Sequence, residues 1–271
     1  MSPTMVPSPP TPDAPSAPAS SRPVTPAGSE SYRDRRAWIA EYFDRTASRA
    51  WTALTSDAPV SGVRQKVRLG RERMGRTLLA WLPEDLTGMR ILDAGCGPGV
   101  LAMELATRGA DVVAVDLAGS LLEVARARLA QQGALKGRVE LRLGDMLDPA
   151  LGTFDYVVAM DSLIHYQAPD MLRALGQLAE RTRRAMVVTF APRTPMLAVM
   201  HAVGRAFPRR DRAPAIEPVS ESRLREGFSH SDALAGWQIG RTQRIASSFY
   251  TSQALELRCI RTESLASTGA R

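Results

Sequence analysis

Arg90-Ile91-Leu92-Asp93-Ala94-Gly95-Cys96-Gly97-Pro98-Gly99 decides the fold of this chain. Small apolar residues lead in as a short buried strand. Glycines then alternate at 95, 97 and 99, and Val100-Leu101-Ala102-Met103-Glu104-Leu105 continue at helical spacing. Glycine is needed where the backbone takes positive φ or where a ligand lies against the main chain. Strand, glycine turn and helix in that order predict a nucleotide-cofactor site at the carboxyl edge of a parallel sheet.

Downstream the pattern alternates. Asp111–Asp116 reads as a second buried strand, Ser120–Gln131 as an amphipathic helix and Arg138–Leu143 as a third strand. Phe154–Asp161 is a fourth strand, Pro169–Glu180 a helix and Ala185–Ala191 a fifth strand. Such βαβα alternation predicts a parallel, doubly wound sheet with right-handed crossovers. Trp237–Ala246 and Phe249–Ile260 are strand-like runs separated by a short turn, hence an antiparallel hairpin at the end of the sheet.

Upstream, residues 1–30 carry nine of the 19 prolines and almost no large apolar side chain, so they are expected to be disordered. They lack a basic start and apolar core, so they do not read as a signal peptide. From Asp34 to Leu54, Trp38, Ile39, Tyr42, Phe43, Trp51 and Leu54 recur at helical spacing. A second helical pattern runs from about Val60 to Leu82, with Arg64, Arg68 and Arg71 sharing a face. That row is either a solvated helix face or an anion-facing strip on a lid. The expected organisation is a tail (1–30), a helical lid (31–85), a cofactor-binding catalytic domain (86–262) with a helical insertion near 195–230, and a flexible tail (263–271).

The chain has 271 residues, 44% hydrophobic and 23% charged, enough for one domain with a sizeable core. No stretch approaches the ~20 apolar residues of a membrane span. Cys96 and Cys259 are far apart and suggest no disulfide, so a reducing cytoplasm is expected. The net charge is +7, and all but Lys66 and Lys136 of the 35 basic residues are arginines. Codon composition or attraction to an anionic partner accounts for that bias. No metal-ligand cluster is visible.

Three carboxylates separate a methyl donor from a dinucleotide. Asp93 ends the first strand, where it would repel a pyrophosphate but suits the ammonium of a methionine moiety. Asp116 ends the second strand, where it can accept from both ribose hydroxyls or serve as a plain cap. Asp145, after the third strand, would accept from an adenine amine with Met146 against the ring, or simply form a turn. Cys96 is a small turn filler rather than a nucleophile. In order, these residues resemble class I S-adenosylmethionine-dependent methyltransferases over about residues 86–262. The resemblance implies a Rossmann-like seven-stranded sheet of order 3-2-1-4-5-7-6 with the last strand antiparallel. It places the cofactor S-adenosylmethionine on Asp93, Gly95, Cys96, Gly97, Asp116, Leu117, Asp145, Met146 and Met160.

The fourth strand ends in Met160-Asp161-Ser162-Leu163-Ile164-His165-Tyr166. With Glu41-Tyr42-Phe43-Asp44-Arg45-Thr46, Arg49-Ala50-Trp51 and Lys66-Val67-Arg68-Leu69-Gly70-Arg71, this loop is similar to the bacterial magnesium-protoporphyrin O-methyltransferases. That resemblance implies methyl transfer to one propionate of magnesium protoporphyrin IX, with the magnesium belonging to the substrate. It implies His165 and Tyr42 at the reacting groups, and the magnesium chelatase large subunit as a partner. A flat, apolar acceptor edged by propionates needs apolar walls and a few cations. Trp38 and Met200 are candidates for the walls, and Arg64, Arg68, Arg71 and Arg193 for the second propionate, with no choice among them. The run Met196–Phe207 with Arg209, Arg210 and Arg212 suits either core packing or weak peripheral contact with an anionic membrane.

Other readings compete. A different small-molecule methyltransferase, acting on a quinone precursor or secondary metabolite, would keep the cofactor residues and change the lid. Nucleic-acid methylation is disfavoured because the arginines are scattered. A non-catalytic cofactor-binding module would keep the three aspartates as well.

Overall fold

The computed structural model describes residues 29–44, 62–193, 216–247 and 249–260. The proline-rich tail, the stretch around Trp51, the run Met196–Phe207 with Met200 and His201, and the C-terminal tail lie outside the described residues.

Seven strands form one sheet: β1 (Arg90–Ala94), β2 (Asp111–Asp116), β3 (Arg138–Leu143), β4 (Phe154–Ala159), β5 (Thr182–Phe190), β6 (Trp237–Ser247) and β7 (Tyr250–Cys259). Their order is β3-β2-β1-β4-β5-β7-β6. Strands β1 to β5 run parallel, and β7 is antiparallel to both β5 and β6. The class I methyltransferase topology expected from the sequence is the one observed. Because the order reverses outward from β1 and β4, the carboxyl ends of these two strands flank the crevice where such sheets bind ligands.

Helices cover both faces. On one face α2 (Gly62–Ala80) and α3 (Val100–Thr107) bury Met74, Leu78, Leu101 and Leu105 against Ile91, Val112, Val158 and Val187. Met74 and Leu78 are fully enclosed; each such side chain contributes roughly 1.5–3 kcal/mol by leaving water. Helix α4 (Gly119–Gln131), crossing between β2 and β3, adds Leu122 to the same core as α2 and α3. On the other face α5 (Ala168–Ala179) and α6 (Glu221–Ser229) close over Phe154 and Phe190 through Met171, Leu175 and Leu224. Helix α1 (Glu30–Tyr42) lays Tyr32 and Ile39 on the rim of that second core.

Several boundaries differ from expectation for local reasons. Helix α1 starts at Glu30, four residues before Asp34, because the Ser29 side chain accepts from the Tyr32 N–H as an N-cap and Glu30 sits in the positive first turn. Ser29 and Ser31 also donate to Asp170 on α5, the first contact at 2.5 Å and the second at 2.7 Å, which fixes the start of α1 to the domain. Strand β4 stops at Ala159 rather than Asp161, since Asp161 adopts φ 55°, outside any strand. Strand β5 begins at Thr182, ahead of Ala185. The insertion after β5 contains α6, capped by Ser220.

The terminal hairpin holds α2 in place. Strand β6 shifts register between Ile239 and Thr242. At that bulge Arg241 pairs with the buried Glu256, at 2.6 and 2.8 Å, and donates to the Trp81 carbonyl at 2.7 Å. Its guanidinium lies 5.2 Å from the Trp81 ring centre. These contacts pin the chain just after α2 to the sheet edge, so the lid helix is fixed at its far end.

Candidate active site

A cavity of about 890 Å³ opens at the carboxyl ends of β1, β2 and β4 and continues between α2 and α3. It is near the upper end of the ~300–1,000 Å³ common for small-molecule sites.

The donor side is built by main chain. Gly95, Gly97 and Gly99 take φ of +82°, +52° and +76°. Gly95 and Cys96 turn their N–H groups back onto the Val115 carbonyl at 2.8 and 3.0 Å, locking the loop to β2. A side chain at Gly95 would stand 2.4 Å from Ser162 Cβ, so only glycine lets the β4 loop approach. Gly97, by contrast, faces open space. The Gly97 N–H donates to Asp116 Oδ2 at 2.7 Å, and the Ala118 N–H to Oδ1 at 2.9 Å. Burial raises the Asp116 carboxyl above its usual range, and these N–H groups oppose the rise.

Asp93 lies fully buried at the end of β1, and its Oδ2 has no hydrogen-bond partner. Burial, with the Asp116 charge behind it, pushes its carboxyl up to about 7. Ser162 Oγ is a second buried polar atom with no partner, and Ser162 also lines the cavity. Buried polar groups left unpaired are costly. A carboxylate with one unpaired oxygen in a cavity wall suits a cationic group, and a hydroxyl suits a polar one. The donor set therefore fits an amino acid moiety carrying an ammonium. Cys96 lines the same loop, and burial drives its thiol well above the ordinary range, so it stays protonated.

Asp145, expected beside an adenine, lines the cavity and is also tied to α1. Its Oδ1 accepts from Tyr32 OH at 2.8 Å and from the Leu147 N–H at 2.9 Å, and its Oδ2 accepts from Arg36 at 2.7 Å. It anchors α1 as well as walling the cavity. Leu117, Met146 and Met160 also line it. The Tyr32 ring stacks on Tyr166, with centres 4.7 Å apart.

Of the acceptor candidates, His165, Arg68 and Arg71 reach the cavity; Trp38, Tyr42, Arg64 and Arg193 do not line it. Helical phase explains the first pair. Tyr32, Ile39 and Phe43 share the face of α1 turned to the cavity, and Trp38 and Tyr42 fall about a quarter turn or more away. Trp38 carries the Arg35 guanidinium at 5.4 Å, and Tyr42 stands edge-on to Phe43 at 5.4 Å. Phe43 in turn meets the buried His165 ring at 6.0 Å, so Phe43 reaches the His165 loop as Tyr32 does at Tyr166. Arg64 is exposed one turn before Arg68, and Arg193 is exposed after β5.

Sequence reasoning did not single out Tyr32, Asp161 or Ser162. Tyr32 sits three residues after a capping serine, a signal that the proline-rich surroundings masked. Asp161 lines the cavity and accepts from Arg71, Tyr250, Ser252 and Thr189, partners 28 to 91 residues away. No local pattern marks such a residue.

The comparisons with known proteins agree with this geometry. A family profile described as "Magnesium-protoporphyrin IX methyltransferase C-terminus" matches residues 159–259, and one described as "Methyltransferase domain" matches residues 91–185. The chain is 48% identical over 228 residues to a magnesium-protoporphyrin O-methyltransferase of Rhodobacter capsulatus, covering 84% of this chain and 98% of that protein. It is 29% identical to the corresponding protein of Synechocystis, over 82% of this chain and 96% of that one. The crystal structure of magnesium protoporphyrin IX methyltransferase from Synechocystis with bound SAH superposes with a TM-score of 0.72 at 27% identity, over 83% of this chain and 99% of that one. The chain belongs to the magnesium-protoporphyrin O-methyltransferase family.

Proposed function

We propose that this protein transfers the methyl group of S-adenosylmethionine to a propionate carboxylate of magnesium protoporphyrin IX, giving the monomethyl ester in chlorophyll or bacteriochlorophyll synthesis. The observation that carries this reading is a cavity whose wall holds a buried carboxylate, Asp93, with one oxygen unpaired, together with arginines that include Arg68 and Arg71. It sits in a chain 48% identical to a protein of that name.

S-adenosylmethionine supplies a methyl carbon made electrophilic by its sulfonium. Asp93 is suited to the ammonium of the methionine part, and Asp116, pinned by Gly97 and Ala118, to the ribose hydroxyls. Leu117 and Met146 offer apolar walls for the adenine. Asp145 accepts from Tyr32, Arg36 and Leu147 and, with about four acceptor sites on a carboxylate, keeps one suited to the adenine amine.

The acceptor is a carboxylate with an ordinary pKa of about 4.3, already ionised, so no general base is required. The chain's residues then have three tasks: align the oxygen with the methyl carbon, desolvate it and exclude water. His165, buried against Phe43, is suited to orienting that oxygen. Magnesium arrives and leaves with the porphyrin. Hand-off from the magnesium chelatase large subunit and weak peripheral membrane contact through residues 196–212 belong to the same proposal. The flatness and apolarity of the substrate support both. No helix among the described residues is long and apolar enough to cross a membrane.

Incubation with S-adenosylmethionine and magnesium protoporphyrin IX, followed by mass analysis, is expected to show the gain of one methyl. Unchanged porphyrin, with S-adenosylmethionine bound, would sink the acceptor assignment and leave the donor assignment standing.

A further inference from the structure

We propose that Asp161 and Arg71 form a preset pair, in which Asp161 aims the Arg71 guanidinium into the cavity so that Arg71 receives the acceptor's carboxylate and selects for acceptors that carry one. This rests on the function proposed above and names the residue pair that reads the acceptor's charge.

Backbone proximity comes first. Helix α2 lies down on β7 at Gly70, where a side chain would stand 2.5 Å from the Tyr250 ring. Five residues on, Gly75 faces the Met160 sulfur. Arg71, next to the first of these glycines, is thereby brought over the end of β4. There its Nη1 donates to Asp161 Oδ2, and its side chain is only 16% exposed.

Asp161 is held from several directions. Tyr250 OH donates to Oδ2 at 3.1 Å, and Ser252 Oγ to Oδ1 at 3.1 Å. Thr189 Oγ1 donates to Oδ1 at 3.2 Å and accepts the Asp161 N–H at 2.7 Å. The donors come from β5, β7 and α2, so the carboxylate is fixed relative to the whole upper edge of the sheet. The residue also takes φ 55°, a left-handed step that aspartate tolerates better than most residues and that recurs at functional sites. A guanidinium held by so constrained a carboxylate is oriented before any ligand arrives, which lowers the ordering cost of binding.

Charge supplies the second argument. An acceptor carboxylate entering this cavity meets the carboxylates of Asp93, Asp116, Asp145 and Asp161, with Arg68, Arg76 and Arg108 elsewhere in the wall. It needs a cation beside the β4 loop. Arg71 is the cavity-lining arginine bonded to that loop, directly before Ser162–Tyr166. A guanidinium fork matches a carboxylate in shape. Arg64 and Arg193, equivalent candidates by sequence, do not line the cavity.

The test compares binding of magnesium protoporphyrin IX with that of its dimethyl ester, which has no free carboxylate, by quenching of tryptophan fluorescence. Calorimetry with S-adenosylhomocysteine reports the integrity of the fold. The wild-type protein is expected to prefer the diacid by tenfold or more. Arg71→Ala should weaken the diacid by about 10- to 100-fold, the range of a charge-assisted hydrogen bond, leave the diester within about twofold and leave S-adenosylhomocysteine binding unchanged. Arg71→Lys should recover part of the preference. Asp161→Asn should lower the diacid preference in the same direction; if that variant does not fold, the two Arg71 variants decide. Equal losses for diacid and diester in Arg71→Ala would make the pair a structural clamp and overturn the proposal, leaving the function standing. A wild-type protein that binds neither porphyrin overturns the function and the pair together.

Discussion

At the β1–β2 end of the cavity the main chain does the placing, and at the β4 end side chains do. Gly95, Gly97 and Gly99 shape the donor loop through positive φ, and peptide N–H groups at 97 and 118 pin Asp116. The other wall is assembled from α1, α2, the β4 loop and the terminal hairpin, joined by Asp145 to Tyr32 and Arg36, and by Asp161 to Arg71, Tyr250 and Ser252. Main-chain geometry tolerates no substitution where a neighbour presses on it. A side-chain wall can exchange its parts, which is how one donor site serves many acceptors on the same fold.

The largest effect is therefore expected at the donor loop. Gly95→Ala adds a carbon 2.4 Å from Ser162 at a residue with φ +82°. Left-handed backbone costs about 1–2 kcal/mol for a residue with a side chain, and overpacking about 1–3 kcal/mol. We expect a loss of about 2–5 kcal/mol in denaturant unfolding and no measurable S-adenosylmethionine binding. Gly97→Ala has a similar backbone cost but meets nothing within 4 Å. It should lose only the smaller, backbone part of the stability while still weakening the cofactor. Equal stability losses at 95 and 97 would break the comparison, because approach of the β4 loop would then not be what Gly95 serves.

This contrast also explains what the sequence makes visible. The donor loop lies within ten consecutive residues, and its strand-end aspartates follow strands whose apolar runs are plain, so Asp93, Asp116 and the seven-stranded order could be read without coordinates. At the other end, the contacts of Asp161 span 28 to 91 residues, and the face of α1 turned inward depends on a helical phase set by its cap at Ser29. Trp38 and Tyr42, read as site residues from the sequence, stand one helical position from Ile39 and Phe43, which line the cavity. Asp145 shows the same limit: its place after β3 was legible, whereas its use by Tyr32 and Arg36 was not.

A middle-sized effect is expected from pH. The Asp93 carboxyl is raised to about 7 by burial. An ammonium binds the ionised form, so S-adenosylmethionine affinity should rise from pH 6 to pH 8 by roughly tenfold and then level off, with proton release on binding near pH 6.5. The sign for stability is opposite. Below about 4 the group is protonated in both folded and unfolded chains. Between about 4 and 7 the unfolded chain loses its proton while the folded one keeps it, so the ligand-free protein loses stability as pH rises through this window. Calorimetry in buffers of different ionisation enthalpy measures the proton release. Asp93→Asn should remove the pH dependence of affinity; a dependence that persists in that variant would move the titrating group elsewhere in the cavity.

The smallest effect separates two arginines one turn apart. Arg64 and Arg68 lie on the same face of α2 by sequence, and only Arg68 lines the cavity. Arg64 is exposed near the start of the helix, where a surface cation contributes little to binding and its field is screened within about 8 Å at physiological salt. A positive charge in the first turn is also unfavourable to the helix dipole, so its removal costs the helix nothing. Arg64→Ala should change porphyrin affinity and turnover by less than about twofold at physiological salt, whereas Arg68→Ala should weaken porphyrin binding severalfold. If Arg64→Ala matched Arg68→Ala, the acceptor wall would extend a full turn further along α2 than the cavity does, and charge spread over the lid, rather than the Arg71–Asp161 pair, would govern recognition of the acceptor.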